Sequence, residues 1–479
     1  MNKIHIHFIG IGGTAMASIA VAFRRAGFKI TGSEPKKIFP PMSDYLKKNK
    51  VDYYYPFNPK KVGKPDEIVI GNAHYSDENP EVKYARENEI ELEHFPKLLE
   101  KYFIRKNSIV IAGTYAKTSI TAMTAWIFEV AGKNPSYMLG GLPLNFNHGA
   151  RLTKTNLSIV EGDEYPAASP WDYSSKFDFY HPKYLILTSA EWDHMDIFKT
   201  KKSYIDTFKN LVKSVPKDGV IIAKKNGENL KEVLKNAKCK VIFYGCHPES
   251  QAIGTKDLLN KNKIFTDFDI RKIDSSFSTA IKVVQNDISK KTFKTHLIGD
   301  LNIENWCAAI MLAQELKINI NKIKQAVKTF KNVKRRLEIR SKKNNITIID
   351  DFAHSPSKTK ESVKALVKHF PDSNIFSVFE PNRGGRSIKC MKSYNNAFNG
   401  IYKVCVPKLN EYKKKPGVYD VSGKELAENL KKTHKNVVYQ PNFDKIIQNI
   451  LKLSKPKDVI VTMGSRNFDG MIKDIIKKL

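Results

Sequence analysis

Short apolar runs alternate with helix-period segments from the start of the chain: residues 4–9 are strand-like, 14–26 carry apolar positions at helical spacing, and 28–31 and 67–70 return to strand-like runs. That alternation predicts a parallel βαβ sheet, because neighbouring parallel strands need a long crossover and a helix is its usual form. A second strand-to-helix junction follows 108–112, with a helix expected to begin near Lys117 and run towards Val130. Strand-like runs at 157–160, 184–187 and 220–223 extend the α/β pattern through the middle of the chain. From 256 to 297 the pattern becomes short and hairpin-like and supports no assignment. A helix around 305–316 and a basic linker at 331–336 precede a third unit, with strands expected near 346–349, 375–379, 402–406, 437–439 and 459–462.

A chain of 479 residues is too long for one hydrophobic core, which stops growing at roughly 250–300 residues. Three α/β domains are expected, at 1–106, 107–333 and 334–479. A hydrophobic fraction of 41% suffices for packed cores and argues against a disordered or fibrous chain.

The net charge of +32 is the one feature that points towards polyanions. Its distribution argues otherwise: basic residues are scattered from Lys3 to Lys478, many in pairs, and no run exceeds the three of Lys334-Arg335-Arg336 or Lys413-Lys414-Lys415. Solvated lysine-rich surfaces account for this, with attraction of phosphorylated substrates as the functional alternative; no nucleic-acid partner is expected. Cys239, Cys246, Cys307, Cys390 and Cys405 lie far apart without metal-site spacing, which suits a reducing compartment. The apolar start is too short for a signal segment, and no run approaches the ~20 apolar residues that span a bilayer. A cytoplasmic protein with no membrane partner is expected.

Two glycine-bearing turns join strand to helix. Gly10, Gly12 and Gly13 precede Thr14, and Glu34 follows the next strand, the arrangement of a dinucleotide-type diphosphate loop. A purely structural tight turn remains the alternative. In Gly113-Thr114-Tyr115-Ala116-Lys117-Thr118-Ser119 a lysine is placed to meet phosphates and a hydroxyl to hold Mg²⁺, although Ile111 and Ala116 stand where a full phosphate-loop pattern has glycine, and by itself the segment also reads as an ordinary helix start. Glu161-Gly162-Asp163-Glu164 and Glu191-Trp192-Asp193-His194 each follow a strand. Because strand C-termini in open α/β sheets face the ligand crevice, the lysine loop and both acidic clusters can converge. Asp350, Asp351 and His354 stand at a third-domain strand end, and Arg336 in the linker is placed to reach a transferring phosphate.

In order, GTYAKTS (113–119), EGDE (161–164), EWDH (191–194), LNIEN (301–305), KRRLE (334–338) and DDFAHSP (350–356) resemble the motifs of the Mur ligase family along essentially the whole chain. The resemblance implies a Rossmann-like N-terminal domain, a central P-loop ATPase-like domain, a Rossmann-like C-terminal domain that closes over the site, and ATP and Mg²⁺ as cofactors. It implies a ligase that makes an acyl phosphate and then an amide. Lys117, His194 and Arg336 would be catalytic. Gly113, Thr114, Lys117, Thr118, Ser119, Asn302, Asn305, Arg336 and Asp351 would hold ATP, and Thr118, Glu161 and His194 would hold metal. Gly10, Gly12, Gly13, Thr14 and Ser33 would line the UDP-sugar site.

GIGGTAM and TGSE resemble members that act on UDP-N-acetylmuramate itself, and EGDEYP, DHMDIF and TMGSRNFDG resemble those that attach a ready-made murein tripeptide; addition of L-alanine is the alternative. Three positions depart from the pattern: Tyr115 replaces a usual His, Ala116 a usual Gly, and Leu301 a usual His. Ala116 bears on turnover, since a Cβ disfavours positive φ and close phosphate approach, and so leaves open a homologue that binds without reacting. Arg383 and Arg386 face either an anionic substrate or solvent; Lys209 lies at a distance comparable to that of a modified lysine in some family members, which in so lysine-rich a chain is read as coincidence.

Overall fold

A computed structural model describes residues 3–39, 42–193, 197–245, 266–269, 292–382, 384–409 and 420–479. Two compact units result: residues 1–295 with 304–331, and residues 296–303 with 332–479.

The first sheet of the larger unit has five parallel strands: β1 (His5–Ile9), β2 (Lys29–Ser33), β3 (Asp52–Tyr54), β4 (Glu67–Ile70) and β5 (Glu91–His94), in the order β3-β2-β1-β4-β5. Order reverses beside β1, which pairs with both β2 and β4. Ile6 and Phe8 of β1 share a core with Met16, Ile19, Ala20 and Phe23 of the helix Thr14–Arg25. Burying each such large side chain contributes about 1.5–3 kcal/mol.

The second sheet contains β6 (Asn107–Ala112), β7 (Ser136–Met138), β8 (Ala150–Arg151) and β9 (Leu157–Glu161). A hairpin of β10 (Pro166–Ala168) and β11 (Asp172–Ser175) stands apart, and β12 (Tyr184–Leu187), β13 (Val220–Lys224) and β14 (Lys240–Tyr244) complete the sheet. Its order is β14-β13-β12-β6-β9-β7-β8, with only β8 antiparallel to its neighbour. Residues 109–112 of β6 are fully buried, the composition of a central parallel strand covered on both faces. The stretch left unassigned in the sequence supplies the antiparallel pair β15 (Thr266–Asp269) and β16 (Thr292–Thr295); the remainder up to 291 lies outside the described residues.

The smaller unit holds β17 (Glu338–Lys343), β18 (Ile346–Asp351), β19 (Ile375–Glu380), β20 (Lys403–Val406), β21 (Val437–Tyr439) and β22 (Val459–Gly464). They run in the order β17-β18-β22-β19-β20-β21, with β17 antiparallel at one edge. Residues 296–303 group with this unit: Ile298 joins its core, and Lys368 donates to Asp300 at 2.7 Å. Among the described residues the chain is therefore an α/β protein with three large sheets and two small two-stranded ones, α/β as the alternating pattern predicts.

Candidate functional site

The turn after β6 is built around two backbone positions. Gly113 has φ +130°, and a Cβ there would lie 2.1 Å from Thr188 Oγ1 and 2.9 Å from the Ser189 nitrogen. Thr188, just past β12, donates its hydroxyl to the Tyr115 carbonyl at 2.9 Å and so fixes the loop from the neighbouring strand end. Ala116 takes φ 62°, ψ −2° immediately before the helix Lys117–Val130. The left-handed turn that a glycine usually supplies is thus made with an alanine, and the backbone path is kept.

From the first turn of that helix, two side chains meet the EGDE segment. Thr118 donates its hydroxyl to Glu161 Oε1 at 2.8 Å, and Gly140 donates its amide to the other oxygen at 2.7 Å. Lys117 Nζ lies 2.7 Å from Glu164 Oε2, whose residue is 1% exposed. Burial opposes the charge on Lys117, but Glu164 outweighs it, with help from Asp163 and Glu161, and holds the ammonium above its ordinary value. Asp163 pairs with Lys176 at 2.7 Å. The two strand-end segments converge where β6 and β9 are neighbours in the sheet.

The EWDH segment reaches the loop through backbone: Thr114 donates to the Glu191 carbonyl at 2.8 Å, and its oxygen lies 3.2 Å from the Tyr204 hydroxyl. Burial, with Glu228 and Asp193 nearby, raises the Glu191 carboxyl. His194 lies outside the described residues. Tyr115 extends under Lys224, 5.3 Å from ring centroid to Nζ, and Lys224 pairs with Glu304 at 2.8 Å. Asn305, 4% exposed, follows Glu304 by one residue, and Ser119 is buried in the first helical turn. Lys209 pairs with Glu232 at 2.6 Å and Asp206 at 3.3 Å.

At the first glycine loop, Gly10 has φ +83°, and a Cβ there would sit 2.3 Å from the His74 ring. Gly12 donates its amide to Glu34 at 2.6 Å, and the other Glu34 oxygen lies 3.8 Å from His74 Nε2. Gly13 precedes the helix that Thr14 opens. Ser33 is fully buried and donates to Glu81, which also accepts from Tyr54 and from the Asn58 amide, each at 2.8 Å.

In the smaller unit, Asp351 is 4% exposed and accepts from Ser362 at 2.5 Å and from the Leu337 amide at 3.1 Å. Burial raises its carboxyl against those donors. Arg336 lies over Phe352 at 5.5 Å, as does Arg335 at 5.0 Å. Asn302, 8% exposed, donates its side-chain amide to the Ile298 carbonyl at 2.8 Å. Arg386 is 5% exposed and 3.8 Å from Asp420, whereas Arg383 lies outside the described residues.

Three family models match consecutive stretches: the Mur ligase family catalytic domain over residues 5–106, the middle domain over 111–313, and the glutamate ligase domain over 335–466. UDP-N-acetylmuramate–L-alanine ligase of Clostridium acetobutylicum is 30% identical, with 96% of this chain and 94% of the relative covered. UDP-N-acetylmuramate–L-alanyl-γ-D-glutamyl-meso-2,6-diaminoheptandioate ligase of Escherichia coli is also 30% identical, over 99% and 98%. The chain belongs to the Mur ligase family. The fold agrees: the UDP-N-acetylmuramate–alanine ligase of Thermotoga maritima superposes with a TM-score of 0.75 at 20% identity, covering 99% of this chain and 98% of that one. A murein peptide ligase of Psychrobacter arcticus gives 0.65 at 23%, with the same coverage.

As a Mur ligase the chain is an ATP-dependent, amide-forming enzyme that releases ADP. Its three domains are those of the family. Among the described residues, no helix is long and apolar enough to cross a membrane. Residues that touch the 113–119 loop but are not among the site residues expected from the sequence include Glu164, Thr188, Tyr204 and Lys224. Glu164 closes the EGDE segment, three residues after Glu161. Tyr204, in the helix Lys201–Ser214, had no motif around it.

Proposed function

We propose that this Mur ligase joins L-alanyl-γ-D-glutamyl-meso-diaminopimelate to UDP-N-acetylmuramate. The observation that carries the ATP chemistry is the Thr118–Glu161 contact of 2.8 Å beside Lys117: a hydroxyl, a carboxylate and an ammonium at one helix N-terminus suit a magnesium triphosphate. Thr118 and Glu161 are hard oxygen donors that would hold a Mg²⁺, with His194 as a further contact. Bound there, Mg²⁺ would neutralise charge on the phosphates.

A lactyl carboxylate oxygen attacks the γ-phosphorus, its bond to the β,γ-bridging oxygen breaks, and ADP leaves. The tripeptide's amino nitrogen then attacks the acyl carbon, inorganic phosphate departs, and the nitrogen loses a proton. Lys117 would steady the γ-phosphoryl oxygens, while Gly113, Thr114 and Ser119 shape the loop around the phosphates. Asn302 and Asn305 are assigned to the adenine, Arg336 to a phosphate, and Asp351 to the ribose side. Gly10, Gly12, Gly13, Thr14 and Ser33 are assigned to the UDP sugar. We place the domain boundaries near 106 and 333. Keeping water from the acyl phosphate is the task of the closing third domain.

Addition of L-alanine is the second reading, favoured by the equal identity to the Clostridium enzyme and the higher TM-score to the Thermotoga one. Segments EGDEYP, DHMDIF and TMGSRNFDG support the tripeptide. Incubation with UDP-N-acetylmuramate, Mg²⁺, ATP and either acceptor decides between them. Tripeptide-dependent phosphate release that Lys117→Ala abolishes is expected. Release with L-alanine alone would transfer the chain to the second reading, and full turnover by Lys117→Ala would remove the lysine's role.

A further inference from the structure

We propose that Asn145 is a positioning residue for the ligation: its side-chain amide clamps the segment by which the chain leaves the larger unit, and so restricts how the smaller unit closes over a bound nucleotide. This rests on the closing third domain of the reading above and gives it a fixed joint. The chain passes between the two units at 295–296, 303–304 and 331–332. The first crossing follows the last residue of β16, and the second lies inside the helix Asp300–Glu315. At the third, which follows the helix Ile320–Thr329, residues 330–332 lie in neither helix nor strand.

A side chain does there what main-chain pairing does elsewhere. Asn145 Nδ2 donates to the Thr329 carbonyl at 3.0 Å, and its Oδ1 accepts the Lys331 amide at 2.6 Å. A primary amide presents donor and acceptor in one planar group, so a single residue ties the main chain on both sides of Phe330. That ring is fully buried, 5.3 Å from the ring of Trp306. Trp126 secures the same helix end separately, its indole nitrogen donating to Thr329 Oγ1 at 3.1 Å. Beyond the crossing, Asn332 takes φ +85°, accepts the Val333 amide at 2.8 Å and donates to the Arg336 carbonyl at 2.5 Å. Both sides of the 331–332 link are thus held, which confines its freedom to the few torsions between them, as a hinge requires.

The loop that carries Asn145 also meets the nucleotide site. At its start the Gly140 amide donates to Glu161 Oε2 at 2.7 Å, while Oε1 of the same carboxylate accepts the Thr118 hydroxyl at 2.8 Å. One short loop therefore joins the carboxylate assigned to Mg²⁺ to the exit towards the smaller unit. With the clamp gone, residues 330 and 331 gain conformations, and fewer closures keep water from the acyl phosphate. Water then attacks it, returning the carboxylate and inorganic phosphate with no amide formed. Lys117, Thr118 and Glu161 stay in place, so capture of the triphosphate is largely kept.

Asn145→Ala removes both bonds. Asn145→Asp is isosteric and keeps the acceptor for Lys331 while losing the donor to Thr329, so the test survives an alanine variant that does not fold. Thr329→Val is the control: it frees the same helix end from Trp126 and leaves the main-chain groups that Asn145 holds. The full chain is assayed with UDP-N-acetylmuramate, Mg²⁺, ATP and whichever acceptor the unaltered protein uses, following amide and phosphate together. Small-angle scattering records the radius of gyration with and without UDP-N-acetylmuramate and a non-hydrolysable ATP analogue. Two hydrogen bonds, each worth a few-fold, should lower kcat for the amide by about ten-fold in Asn145→Ala and leave KM for ATP within about three-fold. Phosphate released per amide should rise from about one to about two or more. Asn145→Asp should fall between, Thr329→Val should match the parent, and compaction on nucleotide binding should shrink only in the Asn145 variants. Tight coupling in both Asn145 variants, an equal loss of coupling in Thr329→Val, or a KM for ATP that rises as far as kcat falls would each overturn the proposal and leave the closing domain standing. An unaltered protein that does not compact would overturn the closing domain and this proposal with it.

Discussion

Ala116 is the position where a single methyl should cost stability. Its φ of 62° and ψ of −2° lie in the left-handed region, where a non-glycine residue loses roughly 1–2 kcal/mol to the clash of Cβ with the following carbonyl. Replacing it with glycine relieves that clash but frees the unfolded chain, returning about 0.4–1 kcal/mol. The methyl is only half-buried, so its packing contributes roughly 0.3 kcal/mol against a full methylene worth of about 0.8. Ala116→Gly should therefore stabilise the larger unit by about 0.5 kcal/mol, and Ala116→Val should destabilise it by about 1 kcal/mol or more, because branching at Cβ sharpens the same clash. Urea unfolding followed by a probe in the larger unit, with all three proteins in parallel, gives the order of midpoints. A glycine variant less stable than the parent, or a valine variant equal to it, would refute the strain argument. The sequence alone marks Ala116 as a threat to the loop; the structure shows the loop's path retained with the strain absorbed.

Two further outcomes follow from local geometry. Gly113→Ala combines φ +130° with a Cβ 2.1 Å from Thr188 Oγ1, a hydroxyl already tied to the Tyr115 carbonyl; it should cost roughly 3 kcal/mol and abolish binding of the ATP analogue, and calorimetric binding at the level of the parent would contradict it. His354 is buried and beside Lys358, with Arg336 and Arg335 adding to the effect, and its pKa is lowered to about 4 against the opposing Phe352 carbonyl. Between pH 6.5, where an unfolded histidine titrates, and pH 4 only the unfolded chain takes up the extra proton, so the smaller unit should lose stability as pH falls through that window. His354→Gln should flatten the slope of urea midpoint against pH there, and an unchanged slope would show that other groups set it.

The sequence carried most of the sheet plan, because β1, β6, β12, β18, β19 and β22 are apolar runs with a turn or helix on either side. What escaped it were strands whose pairing comes from neighbours rather than composition. Asp52–Tyr54 is a three-residue edge of polar and aromatic residues, and Ala150–Arg151 is a two-residue antiparallel addition to β7. Lys240–Tyr244 is apolar, yet it follows a lysine-rich stretch with no glycine turn to announce it. The attachment of residues 296–303 to the smaller unit depends on Ile298 in that core and on Asp300 meeting Lys368, 68 residues away, contacts that no local pattern reports.

The same distinction separates the legible from the hidden in the Mur ligase site. Motif order announces which residue types gather at the strand ends, since lysine, threonine and glutamate at those spacings have few other uses. It does not announce which internal group each donor touches. Lys117 meets Glu164, Thr118 and the Gly140 amide share Glu161, and the Gly12 amide is bonded to Glu34. Every one of these donors is thus held by a carboxylate of the chain itself, so on the proposed reading anion binding would be an exchange of partners rather than the filling of bare donors. Such an exchange would keep the ammonium and amides satisfied at each stage. It also makes affinity depend on what becomes of the displaced carboxylate, which is a property of its neighbours and not of any motif.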